Sequence, residues 1–405
     1  MRLRTPRALH NGCASSFLRV SEIGLKELRV ALIGGGFMGR AHSLALALAP
    51  LAEDLGVTLR RQVLVEATPE LAEDAARRLG WNASSSSWED VVASPDIDII
   101  DICTPPTLHR DIAVAAIRAG KHVFCEKPIT NNADEAEEMH AVAAAAGCVT
   151  QVGFNYRHTP AVSYAKQLLD SGRLGEPLQF RGSYLQDAAF NADPHRWRAT
   201  KATGGSGMIG DIGSHILDIA ELLFGDITRV CALARSKGPN SADGWVPETT
   251  RVGRDLLDDA GVWIAEFSNG ALGSFAVSGY ASGRKNQISF GFDASRGAVD
   301  FDWNHREEFR VSYVDEPADH SGFRTVHTNN QHPDGWWRLA GLGTGYVDVM
   351  AIEFQKFLRA IVAGTRAHPD FGDGARIQRI VEAVRFSAAS GQWTVVPPRP
   401  AEEAA

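Results

Sequence analysis

No run of about 18 apolar residues occurs in the chain, so nothing in it is long enough to cross a bilayer as a helix. Basic stripes interleaved with aromatic residues are missing too. With a formal net charge of −8, nucleic-acid binding is not expected. Cysteine is scarce: Cys13, Cys103, Cys125, Cys148 and Cys231 are odd in number, far apart and form no C-x-x-C pair. That pattern fits reduced thiols in a cytoplasmic protein better than disulfides or a thiolate metal site. No internal repeat is present, and low complexity is confined to Ser84–Ser87. Acids are nearly absent from residues 1–26, where Arg2, Arg4, Arg7, Arg19 and Lys26 face Glu22 alone. That leader has neither the apolar stretch of a secretory signal nor a twin-arginine pair, and a disordered basic tail is expected.

At 405 residues the chain is too long for one small core, and two domains are expected. Residues 28–33 (LRVALI) run into Gly34-Gly35-Gly36, and small and apolar residues follow from Phe37 to Ala49. This reads as strand, glycine turn, helix. Val63–Glu66 reads as a second strand. Pro69 to Leu79 reads as a helix with proline first, Arg77-Arg78 late and Gly80 as its stop. Ile97–Cys103 forms a third strand, followed by the Thr104-Pro105-Pro106 turn and a helix from Leu108 to Ala119. After the strand HVFCE, Asn132 caps another helix with Glu135 in the reciprocal position. Alternating strands and helices predict a parallel, doubly wound sheet over residues 27–153.

Beyond Tyr156 the pattern changes to alternating runs at 177–186, 227–235, 262–267 with 271–280, 286–292 with 298–303, and 307–314. Asn269-Gly270 and Arg296-Gly297 suit hairpin turns. Residues 154–392 are therefore expected to form a second α/β domain around an open, largely antiparallel sheet. Helices at 206–224, 346–363 and 374–389 would cover one face, and 393–405 would form a tail.

Three groups of residues carry chemistry. Gly34-x-Gly36-x-x-Gly39, between a strand and a helix, is the dinucleotide fingerprint of a Rossmann domain, with Phe37 and Met38 inside the turn. Its helix amides would hold a pyrophosphate. Glu66, ending the next strand, suits the adenosine ribose hydroxyls and repels a 2′-phosphate, so NAD is favoured over NADP despite Arg60 and Arg61 upstream. Second comes Glu126-Lys127-Pro128, at the end of a β-branched and aromatic run. A lone lysine there is ordinarily solvated, but beside a nicotinamide it suits chemistry on a hydroxyl or carbonyl group. The Lys127-Pro128 bond is expected to be cis. Third is the pair Asp211 and His215, four apart on one face of the expected helix. A lone pair of this kind is ordinarily an ion pair. No third ligand at suitable spacing accompanies it, and hydride transfer to NAD needs no metal, so none is expected.

The ordered set GGGFMG, CTPPTLH, AGKHVFCEKP, QVGFNYR and GGSGMIGDIGSHILD resembles the Gfo/Idh/MocA oxidoreductases over residues 28–390. The resemblance implies a Rossmann domain followed by an α/β domain whose open sheet forms a dimer or tetramer interface. It implies that Lys127 touches the reacting hydroxyl and that Asp211 and His215 complete the site. Thr104, Pro105 and His109 would border the cofactor, with Glu126 beside the nicotinamide ribose. Residues 236–257 and the leader have no counterpart in the pattern. Chemically, His215 would act as general base while Lys127 stabilises the developing alkoxide.

Seven of the nine tryptophans lie beyond residue 150, and aromatic faces with polar edges suit sugars. Tyr156, Gln186, Trp197 and Arg198 are the expected substrate contacts, with Asn330, His332, Trp336 and Trp337 as a loop closing the pocket. Tyr156, Gln186, Asp211 and His215 together resemble the levoglucosan and glucoside 3-dehydrogenase branch. Inositol dehydrogenase is the nearest competitor, followed by an NAD-dependent glycosidase acting through transient C3 oxidation. A non-catalytic sugar-sensing regulator is disfavoured by intact Lys127, Asp211 and His215.

Overall fold

The computed structural model describes residues 26–191, 206–237, 245–247 and 257–399. Two sheets form around the change of pattern at Tyr156. The first is built from β1 (Lys26–Ile33), α1 (Phe37–Ala52), β2 (Val57–Val65), α2 (Pro69–Leu79), β3 (Ala83–Ser85), α3 (Trp88–Ala93), β4 (Ile99–Ile102), α4 (His109–Arg118), β5 (His122–Cys125), α5 (Ala133–Ala146) and β6 (Thr150–Val152). All pairings are parallel, in the order β3-β2-β1-β4-β5-β6. Both faces are covered, so β1 and β4 read as continuous apolar runs rather than alternating ones. The serine tract read as low complexity supplies β3, a short edge strand whose polar side chains face water.

Helix α6 (Pro160–Asp170) leads into β7 (Pro177–Leu185), then α7 (Gly207–Asp211), α8 (Gly213–Phe224), β8 (Ile227–Lys237) and β9 (Trp245–Pro247). Strands β10 (Ala260–Phe267), β11 (Leu272–Ser278), β12 (Gln287–Ala294), β13 (Gly297–Asp302), β14 (Glu308–Tyr313) and β15 (Arg324–His327) complete most of the second sheet. Helices α9 (Tyr346–Ala363) and α10 (Phe371–Ser390) precede β16 (Thr394–Val395), which lies in the expected tail and pairs with β8. Among the described strands only β11 and β7 pair in parallel in this sheet; its other neighbours are antiparallel.

Two expectations about helices are corrected. The 206–224 segment is two helices, broken at Ile212. Asp258 fixes the first of them, its carbonyl accepting from Met208 N–H at 2.9 Å and its carboxylate from Ile209 N–H at 2.6 Å. Helix α9 does not cover the second sheet. Its Met350, Phe354, Phe357 and Leu358 share a core with Leu28, Val30 and Leu32 of β1, and Phe354 stacks on Phe124 of β5 at 4.5 Å. Amphipathic spacing tells which face of a helix is buried, not which sheet receives it. Helix α8 does pack on β7, and α10 bridges β8 and α5, tying the two halves together. Among the described residues, no helix is long and apolar enough to cross a membrane.

Candidate active site

Backbone hydrogen bonds carry the parallel ladder past the strand ends. Gly34 N–H donates to Val65 O at 2.9 Å, Cys103 N–H to Ile33 O at 2.8 Å, Glu126 N–H to Ile102 O at 2.9 Å and Gly153 N–H to Cys125 O at 2.9 Å. The glycine turn, Cys103-Thr104, Glu126-Lys127 and Gly153 thus stand side by side at the carboxyl edge of the sheet, where open α/β sheets bind ligands. A cavity of about 760 Å³ opens there and reaches across to the second sheet.

At one end the wall is the glycine turn. Gly34 holds φ +101°, and a Cβ on it would lie 2.7 Å from Cys103 O. A Cβ on Gly39 would run into the Gly34 carbonyl. Gly36 differs: no protein atom lies within 4 Å of where its Cβ would be, and that space is cavity. The N-terminus of α1 has no side-chain cap, so its amides face an open cradle. Glu66 lines the same end, accepting from Gly35 N–H at 2.7 Å and from Ala67 N–H at 3.1 Å. Arg61 points away and donates to Leu79 O at 2.9 Å, while Arg60 lies 3.8 Å from Glu27. Neither lines the cavity. The cradle, the free amides and a carboxylate without a nearby cation fit NAD.

Toward the middle stand Thr104, Pro105, Glu126 and Lys127, and the Lys127-Pro128 bond is cis. His109 is not a wall of the cavity. Wholly buried, it sits 2.9 Å from Thr104 O through Nε2 and 3.1 Å from Pro128 O through Nδ1. It fastens the two loops that carry Thr104 and Lys127, and burial lowers its pKa. The lysine ammonium lies 2.7 Å from both Asp211 O and Asp211 Oδ1. Asp211 was expected beside the imidazole and is paired with Lys127 instead, because the break at Ile212 turns its carboxylate across the cavity.

His215 lines the cavity from α8, with the Tyr156 ring edge-on at 4.8 Å. No described group bonds its Nδ1. Burial and then the Lys127 charge push its pKa well below the ordinary 6.5, against a smaller opposite effect of Asp211. The imidazole is therefore neutral, not poised near neutrality.

The far end is a closed polar hub that the sequence only partly announced. Tyr156 Oη and Tyr184 Oη are 2.9 Å apart, Tyr184 donates to Asn286 Oδ1 at 2.7 Å, and Asn286 Nδ2 donates to Tyr156 Oη at 2.8 Å. Gln186 donates to the same Asn286 oxygen at 2.7 Å, while Trp303 and Tyr346 supply aromatic walls. Tyr184 was legible, two residues before Gln186 on the same strand face. Asn286, with φ 59°, had no signal beyond asparagine's tolerance of that conformation. Trp197 and Arg198 lie outside the described residues, as does most of 236–257. The loop of Asn330, His332, Trp336 and Trp337 is off the cavity: Asp334 binds Lys356 of α9 at 2.6 Å, and Trp336 packs on the first core.

Residues 28–154 match the NAD-binding Rossmann fold of the oxidoreductase family, and residues 162–300 match the Gfo/Idh/MocA C-terminal domain. The levoglucosan dehydrogenase of Pseudarthrobacter phenanthrenivorans is 40% identical over 92% of this chain and 99% of its own length. A structure of levoglucosan dehydrogenase in complex with NADH and levoglucosan superposes with a TM-score of 0.85 at 40% identity, covering 92% of this chain and 100% of that one. The scyllo-inositol 2-dehydrogenase (NAD(+)) of Bacillus subtilis is 31% identical over 52% of this chain and 58% of its own length. With the fold, the glycine cradle and two matched domains in agreement, the chain belongs to the Gfo/Idh/MocA oxidoreductases.

Proposed function

We propose that this protein oxidises a secondary ring hydroxyl of an anhydrosugar or related pyranoside, with C3 as the carbon attacked, and reduces NAD⁺ to NADH. The observation that carries this reading is the meeting of Lys127, Asp211 and His215 in one cavity with the glycine cradle. Gly34, Gly36, Phe37, Met38 and Glu66 would hold the dinucleotide, with Thr104, Pro105 and Glu126 toward its nicotinamide. Bound there, NAD⁺ supplies the hydride acceptor. Lys127 donates to the carbinol oxygen and stabilises its developing negative charge. His215, neutral and unbonded at Nδ1, accepts the hydroxyl proton. Asp211 holds the ammonium in place and takes a neighbouring hydroxyl. Tyr156, Gln186, Tyr184 and Asn286 offer hydroxyl and amide groups to the rest of the ring, and Trp303 a face for its C–H side. The 40% identity to a levoglucosan dehydrogenase over nearly the whole chain supports an anhydrosugar. Inositol oxidation is the second reading, supported by the partial match to an inositol dehydrogenase.

In this reading residues 27–153 bind NAD and residues 154–392 bind substrate and assemble copies of the chain. Leu178, Leu233, Val262, Ile264 and Leu272, each at least half exposed, lie on adjacent strands of the second sheet. An apolar patch of that kind suits a dimer or tetramer interface. Free thiols at Cys103, Cys125, Cys148 and Cys231 favour a cytoplasmic setting. The test is NADH formation across anhydrosugars, aldoses, glycosides and inositols, repeated with NADP⁺. Strong turnover of an anhydrosugar with NAD⁺ is expected. Turnover of inositols alone, or glycoside cleavage without net NADH, would contradict the reading.

A further inference from the structure

Beneath the cavity lies a buried group that this mechanism does not use. His42, on α1, is 1% exposed, and Asp101, on β4, is wholly enclosed. Nδ1 of the imidazole lies 2.9 and 3.1 Å from the two Asp101 oxygens, and Nε2 lies 3.0 Å from Oε1 of Glu126. The other Glu126 oxygen accepts from Lys127 N–H at 3.0 Å. The chain Asp101–His42–Glu126 therefore ends on the backbone of the lysine. Phe124 and Phe354 stand edge-on to the imidazole at 5.3 and 5.2 Å and seal it from water.

Carboxylate oxygens face both ring nitrogens, so both nitrogens must donate and the ring holds two protons. Burial opposes a charged ring, but Asp101 outweighs it, and the His42 pKa lies well above its ordinary value. Two other groups approach the ring. Cys103 Sγ lies 3.2 Å from Nδ1, and burial pushes its thiol pKa up, so it stays uncharged. Glu353 of α9, fully buried, has its pKa raised well above the ordinary range by the same cause. Two carboxylates and one imidazolium leave one net negative charge in an apolar shell, where it is weakly screened.

We propose that Asp101 and His42 are positioning residues that fix the Glu126 carboxylate and hold one net negative charge under the Lys127 end of the cavity, making the site prefer oxidised, cationic NAD⁺ to neutral-ring NADH. This rests on reading the cavity as an NAD site. The two forms share their phosphates and riboses, so the ratio of their dissociation constants isolates the charge on the nicotinamide.

Asp101→Asn removes the charge with little change of shape. In the full-length protein, titrations with NAD⁺ and with NADH should show NAD⁺ affinity falling about tenfold while NADH affinity moves by less than about twofold. Equal changes in both constants, or none, overturn the inference. If the wild-type protein binds neither nucleotide, the cofactor reading fails instead. Should the variant not fold, nitrogen NMR of the histidine-labelled wild type decides. The His42 ring is expected to keep both nitrogens protonated from about pH 6 to 8, and a ring with one bare nitrogen there overturns the proposal.

Discussion

At the scale of single residues the account turns on His215. Replacing it with alanine should lower turnover by about two to four orders of magnitude at neutral pH while NADH binding stays nearly intact; normal turnover removes the imidazole from the chemistry. Its pH behaviour follows from its surroundings. The pKa is depressed by burial and by Lys127, so the proton-accepting form persists as pH falls through 6.5. The profile of kcat/KM should be level through neutrality, with its acid limb well below pH 6.5. An acid limb centred at 6.5 or above would contradict this. Asn286 makes a different prediction. Asn286→Ala breaks the contacts to Tyr156, Tyr184 and Gln186, so the KM for the sugar should rise about tenfold with NADH affinity unchanged. Lys127, Asp211 and His215 were legible because each lies in a short motif, and the cavity brings all three together. Trp303 and Asn286 were not, because strands far apart in sequence bring them to the site, and only the fold places them. Loop residues 330–337 were misread for the converse reason. Polar and aromatic side chains look alike whether they face a ligand or pack on α9.

At the scale of elements, the first sheet follows closely from sequence periodicity. Helix α2 has the expected limits, and Thr68 caps it by accepting from Leu71 N–H. Strand β2 begins at Val57, six residues before the expected Val63, because Arg60 and Arg61 interrupt the apolar run on a strand only partly buried there. The glycine turn gives a paired test. Gly39→Ala forces a Cβ against the Gly34 carbonyl and should cost about 1–3 kcal/mol of stability along with cofactor binding. Gly36→Ala meets no protein atom, so its thermal midpoint should match the wild type while NADH affinity falls. If both variants lose stability equally, the open space at Gly36 is not a cofactor cradle. The partner of α9 lay beyond local pattern, since Met350, Phe354 and Phe357 would bury equally well on either sheet.

Across the whole molecule, α9 and α10 decide how the halves meet. Helix α9 gives its apolar face to the first sheet and α10 bridges both, which keeps Lys127 and His215 on opposite walls of one cavity. The outer face of the second sheet carries the assembly claim. Val262→Glu with Ile264→Glu should shift the protein to monomer in light scattering after gel filtration, and an unchanged mass would place the interface elsewhere. The central claim is that hydride leaves a ring carbon of a sugar for NAD⁺ in this cavity. Incubation of the protein with NAD⁺ and levoglucosan deuterated at C3 tests it most directly. Deuterium at C4 of the reduced nicotinamide, with the sugar recovered as an intact-ring ketone, is the predicted result. Label retained in the sugar, with unlabelled NADH or none, would contradict it.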